Sequence, residues 1–245
     1  MDQLPPILPR NPGSPSGSSS GSSRTCTPSC NYVAASKPVP KAIGAIATIK
    51  TVCGKFCCEP NAISNAHQAA YVSANNLGTG GIRWAQTGWA KCRNVVSTTI
   101  AEHRYAEING DKYNPKYDAT NPPPSDRSSH TYQCDFTTAT GTWAYSCDGA
   151  QWWTFQDDNW KNNSAAIAQR SGEIHNKEDD MPGMPTDKCN FTGWQYKVIE
   201  GAYQNAGLIA GDVVSTNLNL WGDQWVSATA FNIWDKNPWG QECRA

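Results

Sequence analysis

Short strand-like segments separated by turn residues run from about residue 65 to the end of the chain. His67–Val72 is followed by a turn rich in asparagine and glycine at Asn75–Gly81. Asn109–Asp111 and Asp148–Gly149 are further turn signals, of the kind that joins the two strands of a hairpin. This pattern predicts an all-β fold, an antiparallel β-sandwich of two packed sheets, with at most one short helix over Asn163–Arg170.

Composition divides the chain into three parts. Residues 1–24 are rich in proline, glycine and serine, which cannot bury a core, and they are predicted to form an N-terminal arm. Residues 25–64 contain half of the cysteines and are predicted to be a disulfide-stapled lead-in to the sandwich domain, residues 65–245. Within the lead-in, Ala42–Ile49 is a run of small apolar residues that fits either a strand or a short helix.

The ten cysteines are spread along the chain in an even number. Their wide spacing predicts disulfides rather than a metal cluster, and disulfides indicate an extracellular or cell-surface location. Cys134 and Cys147 are expected to join neighbouring strands. The opening residues, Met1–Gln3, do not resemble the start of a signal peptide, which conflicts with that location.

Charge and hydropathy exclude two classes of partner. Charged residues make up 17% of the chain and the net charge is −1, so no basic field is available for nucleic acid. No apolar run approaches about 18 residues, the length of a membrane-spanning helix, so no membrane span is expected.

The familiar catalytic motifs are missing from the sequence. No two of the four histidines have the spacing of a local metal site, and the chain has neither a P-loop nor a nucleophile elbow. We therefore expect no metal and no cofactor, and carboxyl groups are the candidates for chemistry. The candidate acids are Glu102, Glu107, Glu173, Glu178, Asp179 and Asp180.

Tryptophan is unusually frequent, with 11 residues in the chain. Tryptophan buries a large apolar area, so one interpretation places these rings in the sandwich core. The other interpretation makes some of them platforms for sugar rings or extended peptides.

Two motifs each resemble a family of glutamic peptidases. Ala85–Trp89, followed by the Tyr105–Glu107 segment, resembles the glutamine-bearing strand of the fungal glutamic peptidases. Trp152–Trp153 followed by Ser171–Asn176 resembles the neprosin family, in which a double tryptophan precedes a strand with a catalytic glutamate. Both families are antiparallel, concanavalin-like sandwiches, and the resemblance covers roughly residues 65–200.

The resemblance implies a secreted hydrolase that cleaves peptide bonds at acid pH. Glu173 would act as the general base for a bound water, and Gln86 would orient that water and stabilise the oxyanion. The residues expected to bind the peptide or protein substrate are Trp89, Tyr105, Glu107, Trp152, Trp153 and His175.

Two other functions fit the same sequence. One is a non-catalytic structural protein that forms homo-oligomers, as a filament or coat, through residues 1–24. The other is a carbohydrate-binding β-sandwich that uses exposed tryptophans. Gln86 and Glu173 would then be ordinary strand residues that hydrogen-bond across the sheet or face the solvent.

Overall fold

The computed structural model describes most of the chain between residues 28 and 236. The described residues are 28–39, 41–52, 67–76, 83–93, 100–109, 113–118, 127–158, 160, 166–176, 181–198, 201–215 and 219–236. The predicted N-terminal arm, residues 1–24, lies outside them.

Sixteen strands and a short 3-10 helix make up the regular structure of the described residues. The strands are β1 (Pro28–Pro38), β2 (Ala42–Lys50), β3 (His67–Asn76), β4 (Arg83–Arg93), β5 (Ile100–Asn109), β6 (Tyr113–Asp118), β7 (Ser129–Thr137), β8 (Thr142–Cys147), β9 (Ala150–Gln156), β10 (Ala166–Asn176), β11 (Gly183–Met184), β12 (Asp187–Val198), β13 (Tyr203–Asn205), β14 (Val213–Ser215), β15 (Trp221–Ser227) and β16 (Ala230–Asp235). The 3-10 helix spans Ala210–Asp212.

The strands form two antiparallel sheets that pack face to face. The seven-stranded sheet has the order β14-β1-β10-β3-β4-β5-β6. The nine-stranded sheet has the order β15-β16-β12-β2-β7-β8-β9, and β11 and β13 both pair with β12. The predicted all-β antiparallel sandwich is confirmed. Among the described residues, no helix has the length and apolar character needed to cross a membrane.

The segment predicted as a lead-in supplies one strand to each sheet. β1 pairs with β10 in the seven-stranded sheet, and β2 lies between β12 and β7 in the nine-stranded sheet. Ala42–Ile49 is therefore a strand. Its first four residues are all buried, and burial then alternates along the strand. The sandwich thus includes residues on both sides of the boundary predicted at residue 65.

The helix predicted over Asn163–Arg170 is wrong for its described part. Ala166–Arg170 begins β10, which pairs with β1 on one side and with β3 on the other. Pairing on both edges satisfies the backbone hydrogen bonds of this segment. The segment is therefore a strand, although its short sequence also fitted a helix.

Aromatic side chains fill much of the space between the sheets. Trp143 packs edge-on against Trp160 with ring centroids 4.8 Å apart, and Phe191 stacks on Phe231 at 4.7 Å. Trp89 is fully buried in the same core, where its Nε1 donates to the carbonyl of Lys50, 3.2 Å away. The interpretation that places tryptophan rings in the sandwich core is therefore correct for several of them.

A buried cation joins the two sheets. Arg170, on β10, extends into the core, and its guanidinium carbon lies 4.3 Å from the ring centroid of Phe231 and 4.7 Å from that of Trp194. Its Nη1 donates to the carbonyl of Thr229 at 3.0 Å. Burial lowers the pKa of Arg170, and the aromatic faces and the carbonyl offset part of the cost of removing this charge from water.

The expected disulfide between Cys134 and Cys147 does not form, because both are free thiols. In the β7–β8 pair, Cys134 lies opposite Tyr145 and Cys147 opposite Tyr132, so the two cysteines are diagonal neighbours on one face. Diagonal Cα atoms lie about 7–8 Å apart, which exceeds the usual disulfide range of about 4.4–6.8 Å. Cys189 is a third buried free thiol.

These three thiols are expected to resist alkylation in the folded protein. Burial raises the pKa of Cys134 to about 12 and that of Cys147 to about 11, and it also raises the pKa of Cys189. Because the thiolate is the reactive form, iodoacetamide at about pH 8 should label these positions only after unfolding in urea. Peptide mass spectrometry of native and denatured samples measures this, and labelling of the native protein would contradict it.

Candidate functional site

The seven-stranded sheet has two buried faces of different chemistry. One face contacts the other sheet and carries small apolar residues such as Ala70, Val72 and Ala74. The opposite face, here called the polar face, carries carboxyl, amide, hydroxyl and aromatic groups. Strand alternation separates the two sets, because successive side chains point to opposite sides of a sheet. The polar-face residues considered below are Tyr71, Ser73, Asn75, Trp84, Gln86, Tyr105, Glu107, Gln169, Ser171 and Glu173.

Glu107 is the centre of one group of hydrogen bonds on the polar face. It is only 1% exposed, and its Oε1 accepts a hydrogen bond from Trp84 Nε1 at 2.8 Å. The hydroxyl of Tyr105 donates to its other oxygen, Oε2. The same hydroxyl accepts a hydrogen bond from Gln86 Nε2 at 2.6 Å. Gln86, Tyr105 and Glu107 therefore form one connected polar group with an indole at its margin.

Glu173 is the second buried carboxyl group, at 3% exposure. The hydroxyl of Tyr71 donates to its Oε2 at 2.7 Å. A buried carboxylate needs such donors, because burial without hydrogen bonds carries a large free-energy cost.

The two tyrosines meet across a glycine. Tyr71 on β3 lies opposite Gly88 on β4, and Gly88 lies opposite Tyr105 on β5. Their ring centroids are 6.5 Å apart. A Cβ atom on Gly88 would lie 1.9 Å from the carbonyl oxygen of Ala70 and 2.7 Å from the Cα of Tyr71. The glycine of the Gln86–Thr87–Gly88 motif is therefore required by close backbone packing between the two tyrosine positions.

The strand register places Gln86 and Glu173 on different parts of the polar face. Glu173 lies opposite Ala69, whereas Gln86 lies opposite Ser73, four residues further along β3. Four residues of an antiparallel strand span about 14 Å and two strand spacings about 10 Å, so the two Cα atoms lie about 17 Å apart. The amide and the carboxyl group hydrogen-bond to different tyrosines.

Amide and hydroxyl groups continue the polar face beside these carboxyl groups. Asn75 Nδ2 donates to Gln169 Oε1 at 2.8 Å, which links β3 to β10. Ser171, on the same face of β10, donates to the carbonyl of Val33 at 3.2 Å. Asn75 and Trp84 are half-buried, whereas the residues between them and Glu173 are buried. Among the polar-face side chains that the structure describes, the accessible ones are therefore Asn75 and Trp84.

The other predicted substrate-binding residues lie elsewhere. Trp89 points into the core from the opposite side of β4. Trp152 and Trp153 are half-buried on β9, at the edge of the nine-stranded sheet, where Trp153 stacks on Tyr145 with centroids 4.8 Å apart. The side chain of His175 lies outside the described residues.

Sequence reasoning missed Tyr71 and Trp84, which contact the two carboxyl groups. Trp84 could have been found, because it precedes Gln86 by two residues and so shares its face of the strand. Tyr71 carries no such signal, since only the pairing of β3 with β4 and β10 brings it to the site.

No protein-family model matches the chain, and no curated protein does either. Among solved structures, a glycoside hydrolase family 16 endo-glucanase from Bacteroides ovatus is 13% identical, with a TM-score of 0.36 over 61% of this chain and 69% of that one. A β-glucanase from Bacillus licheniformis is 12% identical, with a TM-score of 0.36 over 57% of this chain and 56% of that one. The κ-carrageenase from Pseudoalteromonas carrageenovora is 8% identical, with a TM-score of 0.32 over 62% and 69%.

The predicted resemblance to glutamic peptidases, neprosins included, is wrong. The solved structures named above are two glucanases and a carrageenase, and no family model, of a peptidase or otherwise, matches the chain. The two motifs are short, and strands of any sandwich can contain them. The peptide-cleaving role of Gln86 and Glu173 is withdrawn with the resemblance.

Replacing Gly88 with alanine is expected to destabilise the protein by about 1–3 kcal/mol, because the new Cβ would overlap backbone atoms that cannot rotate away. Gly211→Ala is the matched control, since a Cβ there meets nothing within 4 Å. Urea unfolding midpoints of both variants measure the difference. Equal stability of the two variants would contradict the close packing.

Removing the hydroxyl of Tyr105 with Tyr105→Phe is expected to cost about 1–3 kcal/mol, because Glu107 and Gln86 each lose a buried partner. Tyr196→Phe is the control, because the hydroxyl of Tyr196 makes an exposed 3.4 Å contact with Gln204. Thermal and urea unfolding should separate the two variants, and a loss of less than about 0.5 kcal/mol for Tyr105→Phe would count against the network.

Proposed function

We propose that the protein binds carbohydrate through the polar face of the seven-stranded sheet. The observation that carries the proposal is the grouping on this face of two carboxyl groups, Glu107 and Glu173, with tyrosine and tryptophan rings and side-chain amides. An extracellular location, predicted from the cysteines, is part of the same proposal.

These groups suit the chemistry of a sugar. Hydroxyl groups of a sugar both donate and accept hydrogen bonds, so they pair with carboxylate oxygens and with amides such as those of Asn75 and Gln86. Aromatic rings bury apolar surface and suit the C–H faces of a sugar ring. The ring of Trp84 is half-buried at the margin of the polar face, so we expect an incoming sugar ring to contact it.

The two carboxyl groups belong to separate hydrogen-bonded groups of the polar face. Glu107 and Glu173 are offset by four residues and three strand spacings, so their Cα atoms lie about 20 Å apart. Each side chain also bonds a different tyrosine. Two separate polar groups along one face suit an extended ligand with several hydroxyl groups, such as a glycan.

The experiment is a binding measurement on soluble polysaccharides. Mixed-linkage β-glucan, laminarin and κ-carrageenan form the panel, and isothermal titration with oligosaccharides gives Kd for any that bind. Trp84→Ala is expected to weaken binding by about tenfold or more, because it removes the accessible ring and one donor to Glu107.

Trp225→Ala is the matched control, because Trp225 is 43% exposed on the nine-stranded sheet and away from the polar face. It should bind as the unmodified protein does. An equal loss in both variants would remove the polar face as the site, and no binding to any glycan at millimolar concentration would overturn the proposal.

A further inference from the structure

A second polar cluster lies where β7 begins and β8 ends, on the nine-stranded sheet. It consists of Ser128, His130 and Asp148. Ser128 comes directly before β7 and is two residues from His130, so the two side chains point to the same side. Asp148 follows β8 in the tight turn that leads to β9, where it and Gly149 both have positive φ, 51° and 79°.

The three side chains form one chain of hydrogen bonds. Ser128 Oγ lies 2.5 Å from His130 Nε2, and His130 Nδ1 lies 2.6 Å from Asp148 Oδ2. The other carboxylate oxygen, Asp148 Oδ1, accepts from the backbone N–H of Thr131 at 2.8 Å. Burial acts to raise the pKa of Asp148, but the hydrogen bonds from His130 and Thr131 and nearby positive charge outweigh it and lower that pKa. The carboxylate is thus held ionised against the imidazole.

We propose that Ser128 is a nucleophile activated by His130, with Asp148 as the residue that positions the imidazole, and that this site hydrolyses small acyl esters. The order of contacts, hydroxyl to imidazole to carboxylate, is the one by which a histidine removes a proton from a serine. The proposed ester hydrolysis is independent of carbohydrate binding on the polar face.

The cluster is accessible to a small substrate. Ser128 and His130 are half-buried, and the side chain of Asp148 is 52% exposed. An ester carbonyl can therefore reach Ser128 Oγ from solvent, while the imidazole beside it is partly shielded from water.

Arg104 supplies a positive charge at the same end of the sandwich. Its charge helps to lower the pKa of Asp148, and it opposes the larger effect of burial, which raises the pKa of Cys147. Its Nε is buried and has no hydrogen-bond partner in the structure. Positive charge at this end of the sandwich favours the negative oxygen that forms when a carbonyl is attacked at Ser128.

The reaction balances with water as the only co-reactant. Ser128 Oγ forms a bond to the carbonyl carbon, and its proton passes to His130 Nε2. The bond between the carbon and the ester oxygen then breaks, and His130 returns the proton to the leaving alcohol. Water attacks the acyl group on Ser128 by the same route, which releases the carboxylic acid and restores the hydroxyl.

A metal site is the competing interpretation of these residues. His130, Cys147 and Asp148 place one possible ligand atom each within 4.8 Å of one another. Both nitrogens of His130, however, already contact Ser128 and Asp148, so a metal would have to displace one of them. Cys147 is buried, and burial raises the pKa of its thiol to about 11. The geometry favours the serine nucleophile.

The first test uses the unmodified protein. A fluorophosphonate probe is expected to label Ser128, because such probes react with activated serine hydroxyls, and tandem mass spectrometry distinguishes Ser128 from the neighbouring Ser129. p-Nitrophenyl acetate should also be hydrolysed. Absence of both an adduct and turnover would overturn the proposal without any variant.

The second test compares variants. Ser128→Ala should lower kcat/KM by about 100-fold or more and abolish labelling. Asp148→Asn should lower kcat with little change in KM, as expected of a positioning residue. Ser129→Ala is the matched control, because Ser129 is exposed and its side chain lies on the other side of the strand, and it should retain full activity.

Circular dichroism verifies that each variant is folded. Unchanged turnover in Ser128→Ala would overturn the proposal, as would turnover that is lost with a chelator and restored by zinc. Loss of activity in Cys147→Ser with unchanged labelling of Ser128 would point to the metal interpretation and would also count against the mechanism.

Discussion

Aromatic side chains packed between the two sheets hold the sandwich together. Trp143, Trp160, Phe191 and Phe231 exclude water from the space between the sheets, and Arg170 lies among the rings of the nine-stranded sheet. Burial of large rings supplies the dominant favourable free energy, since it scales with the apolar area removed from water. The sheets are held in fixed positions by this packing, and so are the polar groups on their other surfaces.

The polar face imposes a second constraint. Glu107 and Glu173 are as buried as core residues, so each needs hydrogen-bond donors at a fixed place. Those donors come from other strands, and the register of β3, β4 and β5 supplies them only when Gly88 stands between the two tyrosines. A shift of one residue would turn every one of these side chains to the opposite face. Because the hydrogen bonds to Glu107 and Glu173 depend on the strand register, a change of register would also destroy the candidate site.

The two proposed sites occupy different parts of the sandwich and use different chemistry. The polar face presents carboxyl, amide and aromatic groups on the seven-stranded sheet, which suits a polar ligand with flat apolar faces. The cluster of Ser128, His130 and Asp148 lies at the end of the nine-stranded sheet and forms one proton-transfer chain. Each can fail experimentally without affecting the other.

The fold class could be predicted from side-chain alternation and turn residues alone, because these are local signals that do not depend on tertiary contacts. The pairing of β4 with β5 brings Gln86, Tyr105 and Glu107 together. Three other features could not be predicted: Tyr71 hydrogen-bonds to Glu173, Cys134 and Cys147 stay unpaired, and Asp148 contacts His130 across 18 residues. These outcomes depend on strand register, which is decided by packing over the whole sheet rather than by any short motif.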